Sequence, residues 1–209
     1  MQEEYTTVRG EASAETIEKK SRFIATVKPV ETEEEAALFL NALRQKYWDA
    51  THNVYAYIVR DRNIQRYSDD GEPSGTAGVP VLDLLKKEGL TDVIVVVTRY
   101  FGGTLLGTGG LVHAYSKSAK AGVQAAGLLN MLLCSEMRLK CDYTMLGKVQ
   151  NEIAKWRTLA DEIEYTDDVV IPLYIPVGIE EAFEKSMTDR TNGRITINKG
   201  GLVYKAEFI

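Results

Sequence analysis

Few features limit a fold as sharply as a dense run of glycine between a strand and a helix. Arg99-Tyr100-Phe101-Gly102-Gly103-Thr104-Leu105-Leu106-Gly107-Thr108-Gly109-Gly110 holds five glycines in twelve residues. It follows Val93-Ile94-Val95-Val96-Val97, an apolar run that reads as a strand buried on both faces. Glycine loses more backbone entropy on folding than other residues, so the cluster answers a specific demand. Either the loop needs close approaches that a Cβ forbids, or it presents bare N–H groups to an anion at the positive end of the next helix. The spacing fits neither the phosphate loop, which needs Gly-Lys-Ser/Thr, nor the dinucleotide pattern G-x-G-x-x-G. Arg99 is suited to grip a phosphate or carboxylate bidentately, or to make a surface ion pair.

Upstream, residues 11–30 read as extended, with Phe23, Ala25 and Val27 alternating against polar neighbours up to Pro29. Thr32 and Glu35 form a capping-box signal for a helix through Tyr47, with Ala36, Phe39, Leu40 and Leu43 on its apolar face. His52 to Arg60 alternates as a strand, and residues 64–67 suit its hairpin partner. A second punctuated loop, Asp69-Asp70-Gly71-Glu72-Pro73-Ser74-Gly75-Thr76-Ala77-Gly78, precedes a helix around Val79–Lys87 that Gly89 stops. Ser74 and Thr76 are candidate caps for that helix. After the glycine loop a helix places Val112, Tyr115, Ala119, Val123 and Ala126 on one face, with His113, Ser116, Lys117, Lys120 and Gln124 opposite.

The pattern resets near residue 130. Beyond it come a strand at Glu136–Tyr143 and a helix capped by Thr144. Strands near Glu162–Thr166 and Val169–Pro176 follow, then a helix carrying Ile179, Ala182, Phe183 and Met187. Extended segments from Arg194 to Ile209, broken by Gly200-Gly201, end the chain. This β-α-β-β-α-β order is that of a ferredoxin-like domain. The expectation is an α+β protein of two domains, residues 1–130 and 131–209.

The acidic loop lacks the length and pattern of a calcium loop, and turn formation explains Asp and Gly there without chemistry. His52 and His113 each stand alone, and G-x-S-x-G is absent. Cys134 and Cys141 match no zinc spacing and read as buried, reduced strand thiols. Trp48 and Trp156 read as core or interface anchors. No metal, cofactor or catalytic residue is assigned. The net charge of −5 gives no bulk attraction to nucleic acid, and no apolar stretch approaches a membrane span. The N-terminus lacks the regions of a secretory signal, so the expected setting is the cytoplasm.

Taken together, Lys20-Ser21-Arg22-Phe23, Ala50-Thr51-His52-Asn53-Val54-Tyr55-Ala56-Tyr57, Tyr67-Ser68 leading into the acidic loop, and Arg99-Tyr100-Phe101-Gly102-Gly103 with Leu106-Gly107 and Gly109-Gly110-Leu111 resemble the IMPACT family and its bacterial YigZ branch. The resemblance spans nearly the whole chain. It implies an N-terminal domain of the βαβ type found in domain IV of elongation factor G and a C-terminal domain like domain V of that factor, both of which engage the ribosome. Eukaryotic relatives regulate translation through an additional N-terminal domain that this sequence lacks, so their kinase-pathway role is not carried over. The function expected is a translation-associated regulator binding the ribosome or structured RNA, or else a protein partner, without membrane contact. The alternative is an enzyme acting on a small phosphorylated or carboxylated metabolite. In either case the candidate surface is Asp69, Asp70, Gly71, Glu72, Ser74, Gly75 and Thr76 with Arg99, Tyr100, Phe101, Gly102, Gly103, Gly107, Gly109 and Gly110. His113, Lys117 and Lys120 on the adjoining helix complete it.

Overall fold

The valine run lies at the centre of a five-stranded sheet in a computed structural model that describes residues 2–207. The strands and helices are β1 (Glu4–Val8), β2 (Ala12–Glu18), β3 (Ser21–Pro29), α1 (Glu33–Lys46), β4 (His52–Val59), β5 (Ile64–Ser68), α2 (Gly78–Lys87), β6 (Val93–Tyr100), α3 (Thr108–Ala126), β7 (Leu128–Cys141), α4 (Leu146–Ile153), β8 (Leu159–Ala160), β9 (Glu164–Tyr165), β10 (Val169–Pro176), α5 (Glu180–Thr191) and β11 (Thr196–Glu207). They form two units, Tyr5–Leu129 and residues 2–4 with 130–207. The protein is α+β, and the units are described separately.

In the N-terminal unit the sheet order is β2-β3-β6-β4-β5. β6 is antiparallel to both β3 and β4, so β3-α1-β4 is a split crossover with β6 inserted between its strands. Side chains alternate across a strand. Val93, Val95 and Val97 therefore enter the core under α2 and α3, while Ile94 and Val96 join Phe39, Leu40 and Leu43 of α1 on the other face. A strand covered on both faces has no polar face to show, which is why its sequence is unbroken Val and Ile. The Thr32 hydroxyl caps α1 by accepting from the Glu35 N–H at 3.1 Å. The Glu35 carboxylate reaches back to the Glu31 N–H, one residue before the cap.

The extended run expected over 11–30 is two strands joined by a tight turn, in which Lys19 and Lys20 both take positive φ. Val112, expected on the buried face of α3, is exposed, and Leu111, one residue earlier, takes the inward position. Trp48 is 82% exposed and anchors no core. Ser74 and Thr76 do not cap α2. Asp69 accepts from the N–H groups of Gly75, Ala77 and Gly78 at 2.8–3.0 Å, while the Thr76 hydroxyl donates to the Pro73 carbonyl. Gly89 follows the last turn of α2 as expected.

The C-terminal unit has the ferredoxin-like order β11-β7-β10-β8, all antiparallel, with β9 also on β10. Helices α4 and α5 cover Met137, Leu139, Ile171, Leu173 and Ile175 through Val149, Phe183 and Met187. Trp156 meets Phe183 edge-on at 5.6 Å. Ala182 is exposed, so the inward face of α5 is narrower than expected. Thr144 is not the cap of α4; the Asp142 carboxylate receives the N–H groups of Thr144 and Met145. Gly200-Gly201 does not break β11, which runs on through a bulge between Lys199 and Leu202. Of the extended segment expected to Ile209, residues 208 and 209 lie outside the described residues. Among the described residues no helix is long and apolar enough to cross a membrane. Cys134 and Cys141 are buried free thiols, and burial raises both pKa values above the ordinary thiol range.

Candidate functional site

At one end of the N-terminal sheet, β6 runs out beside the starts of β3 and β4. Register places Arg99 opposite both Phe23 and His52, and Tyr100 opposite Arg22. The loops on either side close over this end. The Thr51 N–H donates to the Arg99 carbonyl at 2.9 Å, and the Phe101 N–H to the Thr51 hydroxyl at 3.1 Å. Gly102 rests on the β2–β3 turn, its N–H donating to the Ser21 hydroxyl at 3.2 Å.

Beneath these loops lies a buried polar network. Arg99 is 5% exposed and Glu72 8%. Nη1 of Arg99 is bonded to Oε1 of Glu72, and Nη2 donates to the Ser21 hydroxyl at 3.3 Å. The Tyr115 hydroxyl donates to the same Glu72 oxygen at 2.8 Å. Burial first, and then the Glu72 charge, push the Tyr115 phenol far above its ordinary value, so it keeps its proton and serves as a donor. Nε2 of His52 stands 3.8 Å from Glu72 Oε1, while Nδ1 lies 2.7 Å from the Asp70 carbonyl oxygen. A carbonyl only accepts, so Nδ1 carries the hydrogen. Phe23 meets Tyr115 edge-on at 5.2 Å, and the Arg99 guanidinium lies over Phe23 at 5.4 Å.

The network floors a cleft of about 420 Å³. Pro73, Phe101, Leu105 and Leu106 wall it, and Gly107 and Thr108 at the start of α3 edge it. Gly107 precedes α3 with φ 75°, a left-handed value that glycine takes without steric penalty, and no side chain caps the helix there.

The eighteen candidate residues therefore separate. Glu72, Arg99, Phe101 and Gly107 meet at the cleft. Asp69 caps α2. Asp70 is held by the Asn53 N–H at 2.6 Å and by Arg44 at 3.0 Å, which leaves both as parts of the turn. Gly71 packs on the His52 ring. The Tyr100 hydroxyl donates to Asp49, and Gly103 and Gly109 are exposed. Gly110 lies against Leu106. Ser74 is exposed, and Thr76 is buried on Pro73. His113, Lys117 and Lys120 line a different groove of about 830 Å³ between α2 and α3, with Gly75, Asp83 and Lys87. Ser21, Thr51, His52 and Tyr115 belong to the cleft or its network but were not among the candidates. The motif Thr51-His52-Asn53 carried the only signal for two of them.

Comparison with known proteins agrees with this architecture. Residues 19–123 match the Impact N-terminal domain, and residues 139–194 match a domain of unknown function, DUF1949. The chain is 44% identical to the IMPACT family member YvyE of Bacillus subtilis, over 96% of this chain and 93% of that one. It is 31% identical to the IMPACT family member YigZ of Escherichia coli, over 86% and 89%. A Dictyostelium discoideum protein, Protein IMPACT homolog, is 43% identical over 46% of this chain and 29% of its own length. A solved structure described as that of a hypothetical protein superposes with a TM-score of 0.61 at 28% identity, covering 94% of this chain and 97% of the other. With both domains matched in order, the chain belongs to the IMPACT family and has the two-domain form of its YigZ-like bacterial branch.

Proposed function

We propose that the protein is a cytoplasmic, translation-associated regulator that docks on structured RNA of the ribosome through the loop end of its N-terminal unit. The observation that carries this reading is the seating of Gly102 on the Lys20–Ser21 backbone. That contact holds the Phe101–Gly102 segment against the Lys19-Lys20 turn; both lysines are exposed, and so is about half of Phe101. Arg22 lies over the Tyr100 ring at 5.7 Å nearby. Interleaved basic and aromatic side chains suit phosphate neutralisation together with stacking on unpaired bases. The resemblance of this domain to domain IV of elongation factor G, and membership of the IMPACT family, support the same reading. A net charge of −5 disfavours tight binding to free RNA and favours a large partner that supplies shape as well as charge.

Sedimentation through sucrose gradients at low salt tests the proposal. The protein is expected in ribosomal fractions and to leave them steeply as salt rises. K19E/K20E should be displaced at lower salt with its circular dichroism unchanged. Absence of the unaltered protein from every ribosomal fraction at low salt overturns the reading.

A further inference from the structure

We infer that the cleft between the Phe101–Gly107 loop and the start of α3 is a binding site for a small monocarboxylate with an apolar body. This goes beyond the docking reading and does not depend on it.

Two sets of donors there are unused. Arg99 is 95% buried as a residue, with 5% of its surface exposed. Glu72 and Ser21 take its two terminal nitrogens, but Nε has no hydrogen-bond partner among the described residues. A buried N–H without a partner is uncommon, and ligand sites are among the places where one persists. The second set is the start of α3. This helix runs for 19 residues, its first turn holds no acidic side chain, and no side chain caps it. Its leading N–H groups therefore lack intrahelical acceptors at the positive end of a long dipole. Arg99, Gly107 and Thr108 all line the same cleft.

Charge and shape narrow the ligand. Glu72 already neutralises the Arg99 guanidinium, so what remains is one N–H and the partial charge of a helix end. That suits a single negative charge; a phosphate dianion would face the Glu72 carboxylate with too little compensation. Most of the remaining lining is apolar, supplied by Pro73, Phe101, Leu105, Leu106 and Leu111, with Thr51, His52 and Thr108 as its other polar side chains. Leu105 is 84% exposed and Phe101 47%, so an apolar body seated between them would remove both from water. The volume of about 420 Å³ falls in the range of small-molecule sites.

The full-length protein, isotopically labelled, is titrated with phenylacetate and, separately, with the neutral isostere phenylacetamide. Phenylacetate should bind saturably, with amide shifts centred on Phe101 and on Gly107 to Leu111. Phenylacetamide should bind about tenfold more weakly or worse, the loss expected for a charge-assisted hydrogen bond. T108D supplies the anion internally. It should weaken phenylacetate about tenfold while its melting temperature holds or rises, because an acidic residue in the first turn stabilises a helix. Equal binding of acid and amide overturns the inference, as does a T108D protein that binds normally or a titration that never saturates. Uridine monophosphate displacing phenylacetate at lower concentration assigns the cleft to a nucleotide and overturns the carboxylate. Because K19E/K20E lies outside the cleft, failure here and failure of ribosome docking are read independently.

Discussion

A Cβ on Gly102 would stand 2.1 Å from the carbonyl carbon of Lys20. That neighbour is backbone and cannot rotate away, so the Phe101–Gly102 peptide is in effect welded to the β2–β3 turn. G102A should destabilise the protein by about 3 kcal/mol or more, at the upper end of overpacking effects. Gly103, whose built Cβ would meet nothing, is a fair comparison except for its positive φ of 77°; G103A should cost only about 1 kcal/mol. Chemical denaturation of the two variants gives the difference.

The Glu72–Arg99 pair is buried on both sides. Removing one charge leaves the other without compensation, so E72Q should lose about 3–5 kcal/mol. E72M/R99M removes both charges and should be less destabilised than E72Q alone, even though the Tyr115 hydroxyl then loses its acceptor. A thermodynamic cycle over the single and double variants measures this coupling.

Asp69 gathers three N–H groups from the chain that leads into α2. D69A should therefore cost about 1–2 kcal/mol, as losing a cap does. D69N keeps the acceptor oxygen and should recover part of the loss. S74A and T76A, at the positions whose hydroxyls sequence spacing favours as caps, should not mimic D69A, and urea midpoints of the four proteins separate the cases.

In the C-terminal unit Glu152 joins α4 to α5. Lys155 donates to one of its oxygens at 2.6 Å and Ser186 to the other at 2.7 Å. These bonds, Lys155 first, hold its pKa below the ordinary carboxylate value. A lowered folded-state pKa gives stability that is complete above the unfolded value, about 4.3, and is lost as pH falls through the folded one. Between pH 7 and 5 the protein should show no change from this group, with the loss beginning below about pH 4.3. E152Q should flatten that acid limb, and thermal melts across pH 2.5–7 would show no difference between the two proteins if the bonds contribute nothing.

Local signals in the sequence translated well into structure. The Thr32/Glu35 cap acts over three residues, and the unbroken Val93–Val97 run needs no partner to declare itself buried on both faces. The ferredoxin-like order was legible because each element is bounded by its own turn. What escaped depends on distance along the chain. Asp69 reaches nine residues forward to Gly78, past the nearer hydroxyls that spacing alone favours. Arg99 looks like a free surface cation until β6 is placed between β3 and β4, which seats it over Phe23 and against Glu72, 27 residues away. His52 becomes part of the cleft only because it pairs across the sheet with Arg99. Of the core or interface role read for Trp48, its place in the exposed α1–β4 loop denies it the core. The grouping of Lys117 and Lys120 with the glycine loop followed sequence proximity, but the helix turns them toward α2 and Lys87.

The inserted position of β6 also governs when this domain can exist. β6 is the last strand of its sheet to be synthesised, yet β3 and β4 both bond to it and not to each other. Until residue 100 has left the ribosome the nascent chain holds two separate ribbons, β2-β3 and β4-β5, each with an open edge and little stability of its own. One late strand then joins them and brings Arg99 onto Glu72 in the same event. Truncation before that point would leave two sticky half-sheets, and slowing translation once β6 and α3 have cleared the ribosome would give the domain time to close before the C-terminal unit emerges.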